Sequence, residues 1–529
     1  MGTVLSSSIL VTGMPTADAL VGAALLTKKN SQSQAQQTAT EAIGSTISVG
    51  SLVTDSGRDT TMQASTVVAD GAIAMHAGRN LNVLPGENTQ TEQTAASSKT
   101  SGFIGDLWQP AIGTVKQSND GKQAATTQTG SQIASLAGSV NLTADGKYTQ
   151  TASSVLAPQG DIDIAAKQVQ IDAANNTSTG SDHSTYSKTA VGGSVSVPLL
   201  NAMQGLAQTA QSAGKTQDTR MQALAGLNAA MQAKDVLDAG QALAGGNLGG
   251  VKVSVSVSNT KRENTTEQSA STAVGSQIAA GGQVVIQATG AGKDSTLAVI
   301  GSDIIASGKA TLKADGAIDL QAAQSSSEQH SKNSSSGASV GVGFAIGGQQ
   351  NGFTLDVSAS KGKGRADGSD LTQVNTHVSG QQVDLQSGGD TTLKGAVLKA
   401  DQVTGNIGGN LNLESLQDKS TYAAKQESAG FSASVCVPPF CYGTSTVSGS
   451  YSNAKVNGSS LTVKEQSGLF AGDGGFQLDV KGGTSLTGAA ITSSQAAVDA
   501  QLNSLKTASI TATDLQNHDS YKASGVAVS

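Results

Sequence analysis

The sequence predicts an all-β chain wound as a right-handed parallel β-helix with lateral β-hairpins. Three observations carry that prediction. A glycine followed by an apolar-x-apolar block recurs along the chain, a longer lysine-marked period lies above it, and the composition suits a thin aliphatic core.

The short block appears as Gly78…Leu81-Asn82-Val83, Gly138…Val140-Asn141-Leu142 and Gly160…Ile162-Asp163-Ile164. It returns as Gly282…Val284-Val285-Ile286, Gly316…Ile318-Asp319-Leu320 and Gly380…Val383-Asp384-Leu385, then as Gly409…Leu411-Asn412-Leu413 and Gly475…Leu478-Asp479-Val480. A period of two puts both branched residues on one face and turns the middle residue to water. Glycine supplies the corner between short strands. One such block cannot bury its own apolar pair, so it has to stack on the next.

The longer period is marked by Lys99, Lys188, Lys332, Lys425 and Lys522, each in a Ser/Thr/Gln-rich stretch or beside small residues. Their intervals are 89, 144, 93 and 97 residues, and the outlier contains the compositionally distinct stretch 199–249. That stretch is predicted helical, with Met221, Leu224, Leu227 and Met231 along one side and Gly245-Gly246 ending it. The chain therefore divides into a poorly defined segment 1–43 and modules at 44–129, 130–250 (with the helical insertion), 251–370 and 371–459. A truncated fifth module follows at 460–529, so the chain reads as a fragment. Each module is expected to hold two or three coils, then a hairpin such as 337–362, where small and apolar residues alternate. About 15 to 20 coils at about 4.8 Å each would make a rod on the order of 70–100 Å.

Composition excludes much else. Charged residues are 13% of the 529, aromatics 3%, and proline only 7 residues, whereas glycine reaches 64. A charged share of roughly 25% is usual in globular domains, and disorder usually brings high charge and abundant proline. The net charge of −7, with no Lys/Arg cluster, argues against a nucleic-acid partner. No apolar run approaches the roughly 18 residues of a transmembrane span, and the N-terminus lacks a convincing signal peptide.

Chemistry-bearing residues are sparse. His76, His183, His330, His377 and His518 are scattered singly, without a second ligand at metal spacing. Ala471 to Asp479 matches one calcium-binding nonapeptide, where tandem copies are required. The middle positions Asn82, Asn141, Asp163, Asp319, Asp384, Asn412 and Asp479 could form a stacked carboxylate row. Such a row is what the alternative reading, a parallel β-helix polysaccharide hydrolase or lyase, requires. Solvated or turn-forming Asx is the commoner cause, so no catalytic, cofactor-binding or metal residue is assigned and no enzyme activity is expected. Cys436 and Cys441 surround Val437-Pro438-Pro439-Phe440, and in an oxidising compartment they would close a small loop at a hairpin tip. Two free thiols are the alternative.

Longer strings carry a family likeness. Ser387-Gly388-Gly389-Asp390-Thr391-Thr392-Leu393-Lys394-Gly395-Ala396 is followed by Gly408-Gly409-Asn410-Leu411-Asn412-Leu413-Glu414-Ser415-Leu416-Gln417-Asp418, and later by Glu465-Gln466-Ser467-Gly468-Leu469-Phe470-Ala471-Gly472-Asp473-Gly474-Gly475-Phe476. From about residue 275 onward the chain resembles the haemagglutinin repeats of filamentous-haemagglutinin-type exoproteins, and most closely contact-dependent growth-inhibition toxins of the CdiA type. The resemblance implies a Gram-negative adhesin or toxin fibre, secreted by two-partner secretion and held at the outer-membrane surface. Its implied partners are an outer-membrane transporter, engaged through a secretion domain absent here, and a receptor or carbohydrate on the target cell. The Val-Glu-Asn-Asn junction and any toxin domain are also absent, and no family catalytic residue carries over.

Overall fold

The computed structural model describes residues 2–3, 7–11, 27–105, 110–196, 251–346 and 350–529. The helical insertion expected at 199–249 lies outside the described residues.

The short blocks do wind into coils, each carrying strands on three faces. One coil contains Gln132–Ser135, Val140–Ala144 and Lys147–Thr151, and the next Ser154–Ala157, Ile162–Ala166 and Gln168–Asp172. They pair in parallel and in register, Ile133 with Val155, Val140 with Ile162 and Tyr148 with Val169. The first two faces join round a bend into a 17-stranded sheet, and the third forms a separate 10-stranded sheet. Inward positions are almost all Val, Ile, Leu or Ala, and they form one continuous cluster from Met62 to Val480. Middle residues such as Asn141 and Asp163 point outward.

The stack is shorter than the sequence suggests. Ten strands on the third face mean ten described coils, or about 45 Å at about 4.8 Å per coil. The excess arose because several strands of one coil, such as Ser154–Ala157 and Ile162–Ala166, each present an apolar repeat. The eight glycine-led blocks themselves fall one to a coil, on the second face or the third.

Hairpins leave the stack after every second coil. Their strands are Gly86–Phe103 with Ala111–Thr129, Ala174–Ser196 with Val251–Val274, Ala323–Ile346 with Gln350–Val374, and Asp418–Gly443 with Thr446–Thr462. They do not project singly. Each pairs with the next, Lys28–Glu41 and His518–Val528 extend the row, and Gly2–Thr3 and Ser7–Val11 pair with the outer edge of Lys28–Glu41, giving a 12-stranded antiparallel sheet alongside the coils. Two coils and one two-stranded hairpin both advance about 9.6 Å, because strand spacing is the same in parallel and antiparallel sheets. That match lets the side sheet run unbroken.

The corner where coils begin is held by a ladder of buried hydroxyls. Backbone N–H groups of Ser65, Ser131, Ser153 and Ser276 donate to the side-chain oxygens of Ser131, Ser153, Ser276 and Ser302, at 3.1, 3.0, 3.3 and 3.0 Å. Ser276 Oγ in turn donates to the carbonyl of Asp172 at 2.9 Å. This is how backbone groups interrupted at the corner find partners without water. Ser276→Ala strips a partner from two backbone groups, and a loss of about 1–3 kcal/mol is expected by chemical denaturation.

A candidate interaction surface on the lateral sheet

The middle-position Asp residues singled out in the sequence do not converge on one another. Asp163 and Asp384 share a face, but Val285 and Thr311 stand between them in the ladder. Three coil steps separate the two carboxyls by about 14 Å, beyond the roughly 5–9.5 Å of glycosidase pairs. Asp319 lies between Ala298 and Thr392 on the third face, which also carries Asn82 and Asn412, whereas Asp479 occupies a further column with Asn406 and Lys506. The stacked carboxylate row is therefore not formed, and the carbohydrate-enzyme alternative loses its geometry.

The individual environments differ. Burial pushes the carboxyls of Asp163 and Asp319 above the usual range. Burial acts the same way on Asp384, yet Lys309 Nζ at 3.0 Å, Gln386 Nε2 at 2.8 Å and Thr404 Oγ1 at 2.9 Å hold it low and occupy its oxygens. In the nonapeptide-like string, Asp473 accepts from Ser494 Oγ at 2.6 Å, and its N–H donates to Asp401 Oδ1 at 2.9 Å. Among the described residues no group of three His, Cys, Asp or Glu side chains could hold a metal.

The histidines remain separate. His76 and His183 each bond a threonine hydroxyl at 3.0 Å, of Thr143 and Thr265, His330 meets Asp367 at 2.8 Å, and His518 is exposed. His377 differs, because its Nδ1 lies 2.9 Å from Asp303 Oδ1 and its Nε2 3.1 Å from Glu465 Oε2. Burial opposes its charge, but the bonds to Asp303 and Glu465 prevail and raise its pKa. A raised folded-state pKa gives stability that is complete below the unfolded value of about 6.5 and is lost as pH rises through the folded value. Wild-type chain is therefore expected to exceed His377→Gln in melting temperature at pH 5.5, with the gap closing by pH 8.5.

The side sheet is where surface of unusual character collects. Near the coils its strands are polar on both faces, rich in Ser, Thr, Gln and Asn. Ser118 and Thr185 share a hydrogen bond of 2.7 Å across strands. Toward the tips the faces diverge. Ile112, Val191, Val257, Val340 and Val357 lie side by side on five successive strands. A second row has Val255, Val342, Leu355 and Val435, and a third Val253, Phe344 and Phe353. The rings of Phe344 and Phe353 meet edge to face at 5.1 Å. All these side chains are 36–62% exposed. The reverse face at the same level carries Ser258, Ser339, Ser358 and Ser432, with Gly341 and Asp356 in the neighbouring row. There Asp356 pairs with Lys252, which also donates to Ser434 Oγ at 2.8 Å.

At the tip of the last complete hairpin, Cys436 and Cys441 are buried with Cα atoms 5.2 Å apart. No described helix is long and apolar enough to cross a membrane.

Comparison with known proteins matches this sequence to a repeat family. The hemagglutinin repeat profile matches residues 9–102, 112–260 and 257–430. The chain is 31% identical over 518 residues to tRNA nuclease CdiA of Escherichia coli O6:K15:H31, covering 95% of this chain and 16% of that protein. It is 32% identical over 482 residues to deoxyribonuclease CdiA of Yersinia pseudotuberculosis serotype O:3, covering 89% of this chain and 43% of that protein. With 16S rRNA endonuclease CdiA of Enterobacter cloacae it shares 30% over 512 residues, 94% of this chain and 15% of the relative. The chain thus spans a minor part of each relative's length. No solved structure matches. The chain is a structural repeat segment, and with its period, its coils and these matches in agreement it belongs to the hemagglutinin-repeat family.

Proposed function

We propose that the chain is a non-enzymatic length of fibre in a secreted, outer-membrane-associated contact protein, and that any effector lies elsewhere in the longer polypeptide. One observation carries this reading. Three relatives whose names assign different nucleic-acid targets share this segment at 31, 32 and 30% identity. An activity that differs among them belongs outside what they have in common. The segment's own task is then mechanical: stacked coils set length and stiffness, and the polar side sheet offers repeated weak contacts to a receptor or carbohydrate on the target cell. Export proceeds through an outer-membrane partner transporter. Modules at 44–129, 130–250, 251–370 and 371–459 act as successive units of the fibre, with 460–529 opening a fifth. Once the chain is outside, Cys436 and Cys441 form a local disulfide, since their separation falls within the usual window of about 4.4–6.8 Å.

Purified chain incubated with tRNA, duplex DNA and ribosomal RNA is expected to leave all three intact. Cleavage that copurifies with the folded protein through several columns overturns the reading.

A further inference from the structure

We propose that the apolar face near the hairpin tips is a homotypic interface, which docks against the same face of a second copy of this chain. The inference is independent of where an effector lies.

Hairpin pairing alone does not need this face. Closer to the coils the same strands pair in full register with Ser, Thr, Gln and Asn on both sides. Backbone hydrogen bonds hold them there, so apolar side chains at the tips are not required to close the sheet. They are also confined to one face. Side chains such as Val255, Val342 and Leu355 alternate with Ser256, Gly341 and Asp356, the pattern of a sheet buried on one side. In this chain the side that carries the branched residues is the exposed one.

Size favours a stable contact. A dozen half-exposed Val, Ile, Leu and Phe side chains present on the order of 1,000 Å². That exceeds the roughly 300–600 Å² of the largest patch on a typical monomer, and it reaches the roughly 800 Å² per partner of a standard interface.

An uncharged face is compatible with a second copy of itself. The three rows contain no ionised side chain, so they offer no charge pattern for a dissimilar partner to match. Lys261 and Lys361 border the patch on its coil-proximal side, on the same face. A second copy related by a two-fold axis needs only the same flat aliphatic ridges, because an isologous contact is self-complementary. Two sheets of β-branched residues then interdigitate about 10 Å apart, with their strands crossing at about 30°. The two coil stacks would lie on the outside, leaving the polar proximal half of each side sheet free.

The test is sedimentation-velocity centrifugation of the 529-residue chain from about 0.1 to 100 μM, beside the triple variant Val255→Glu, Val342→Glu, Leu355→Glu. Each of these side chains is exposed in the single chain, so the monomer's melting temperature should stay within a few degrees of the parent. A concentration-dependent dimer is expected for the parent, weakened roughly 100-fold or more by three carboxylates placed in a dry interface. Ser334→Glu, on a polar part of the sheet, serves as the control and should leave dimerisation unchanged. A parent chain monomeric throughout the range overturns the proposal, and so does a dimer that survives the triple substitution. Flotation of a monomeric parent with neutral phosphatidylcholine vesicles, lost in the triple variant, would also overturn it by assigning the face to lipid.

Discussion

Ile318→Asp is expected to break the cooperative unfolding of the coil stack into two transitions and to lower the first by well over 10 °C. Ile318 is completely buried, pairing with Leu297 on one side and Thr391 on the other. The substitution forfeits about 1.5–3 kcal/mol of apolar burial. It also leaves a carboxyl without a partner, which even when protonated costs about 2–7 kcal/mol. Because each coil touches only its neighbours, the damage is local in origin. Hydrogen exchange should lose protection first at Leu297–Ile300, Ile318–Gln321 and Thr391–Lys394, the three ladder strands around the site. A melting curve superimposable on the parent's would be incompatible with a dry aliphatic column at this position.

The second large effect is expected at Tyr148, a fully buried aromatic in a core made otherwise of slim side chains. Its hydroxyl donates to Gln150 Oε1 at 2.9 Å, and Gln150 Nε2 donates to the carbonyls of Ser153 at 2.8 Å and Gln277 at 3.3 Å. Burial drives the phenol's pKa far upward, so it stays protonated and keeps donating. Tyr148→Ala opens a cavity that neighbouring branched residues cannot collapse into, and a loss of about 3–5 kcal/mol is expected in urea titration. Tyr148→Phe keeps the volume and removes only the donor, so about 1–3 kcal/mol is expected. Equal losses from the two variants would mean that the hydrogen bond, not packing, holds this coil.

What the sequence makes legible is the local rule. Apolar-x-apolar blocks such as Val140-Asn141-Leu142 and Ile162-Asp163-Ile164 stack as read, because period-two burial is decided by nearest neighbours in the chain. Coil number is not legible in the same way, since one turn contributes three short strands and sequence alone does not say which share a turn. The alternation in 337–362 announces a hairpin, but its merger with the neighbouring hairpins depends on a spacing match between distant segments. The serine ladder does carry a signal in the sequence. Gly130-Ser131, Gly275-Ser276 and Gly301-Ser302 each precede the first strand of a coil, and a small residue followed by serine at that place marks the corner. The outward Asp residues mislead for the opposite reason, because similarity of local context placed Asp163 and Asp319 in one class while the winding put them on different faces.

The shared advance of coils and hairpins also limits how genes of this kind can change length. Duplicating a single turn would push every later hairpin out of step by one strand and leave a gap in the side sheet. Duplicating or deleting two turns together with their hairpin keeps both arrays in phase. Recombination between repeats should therefore yield viable proteins in steps of roughly 90 residues, the spacing of the lysines that mark each outgoing strand, and shorter steps should be purged as misfolded.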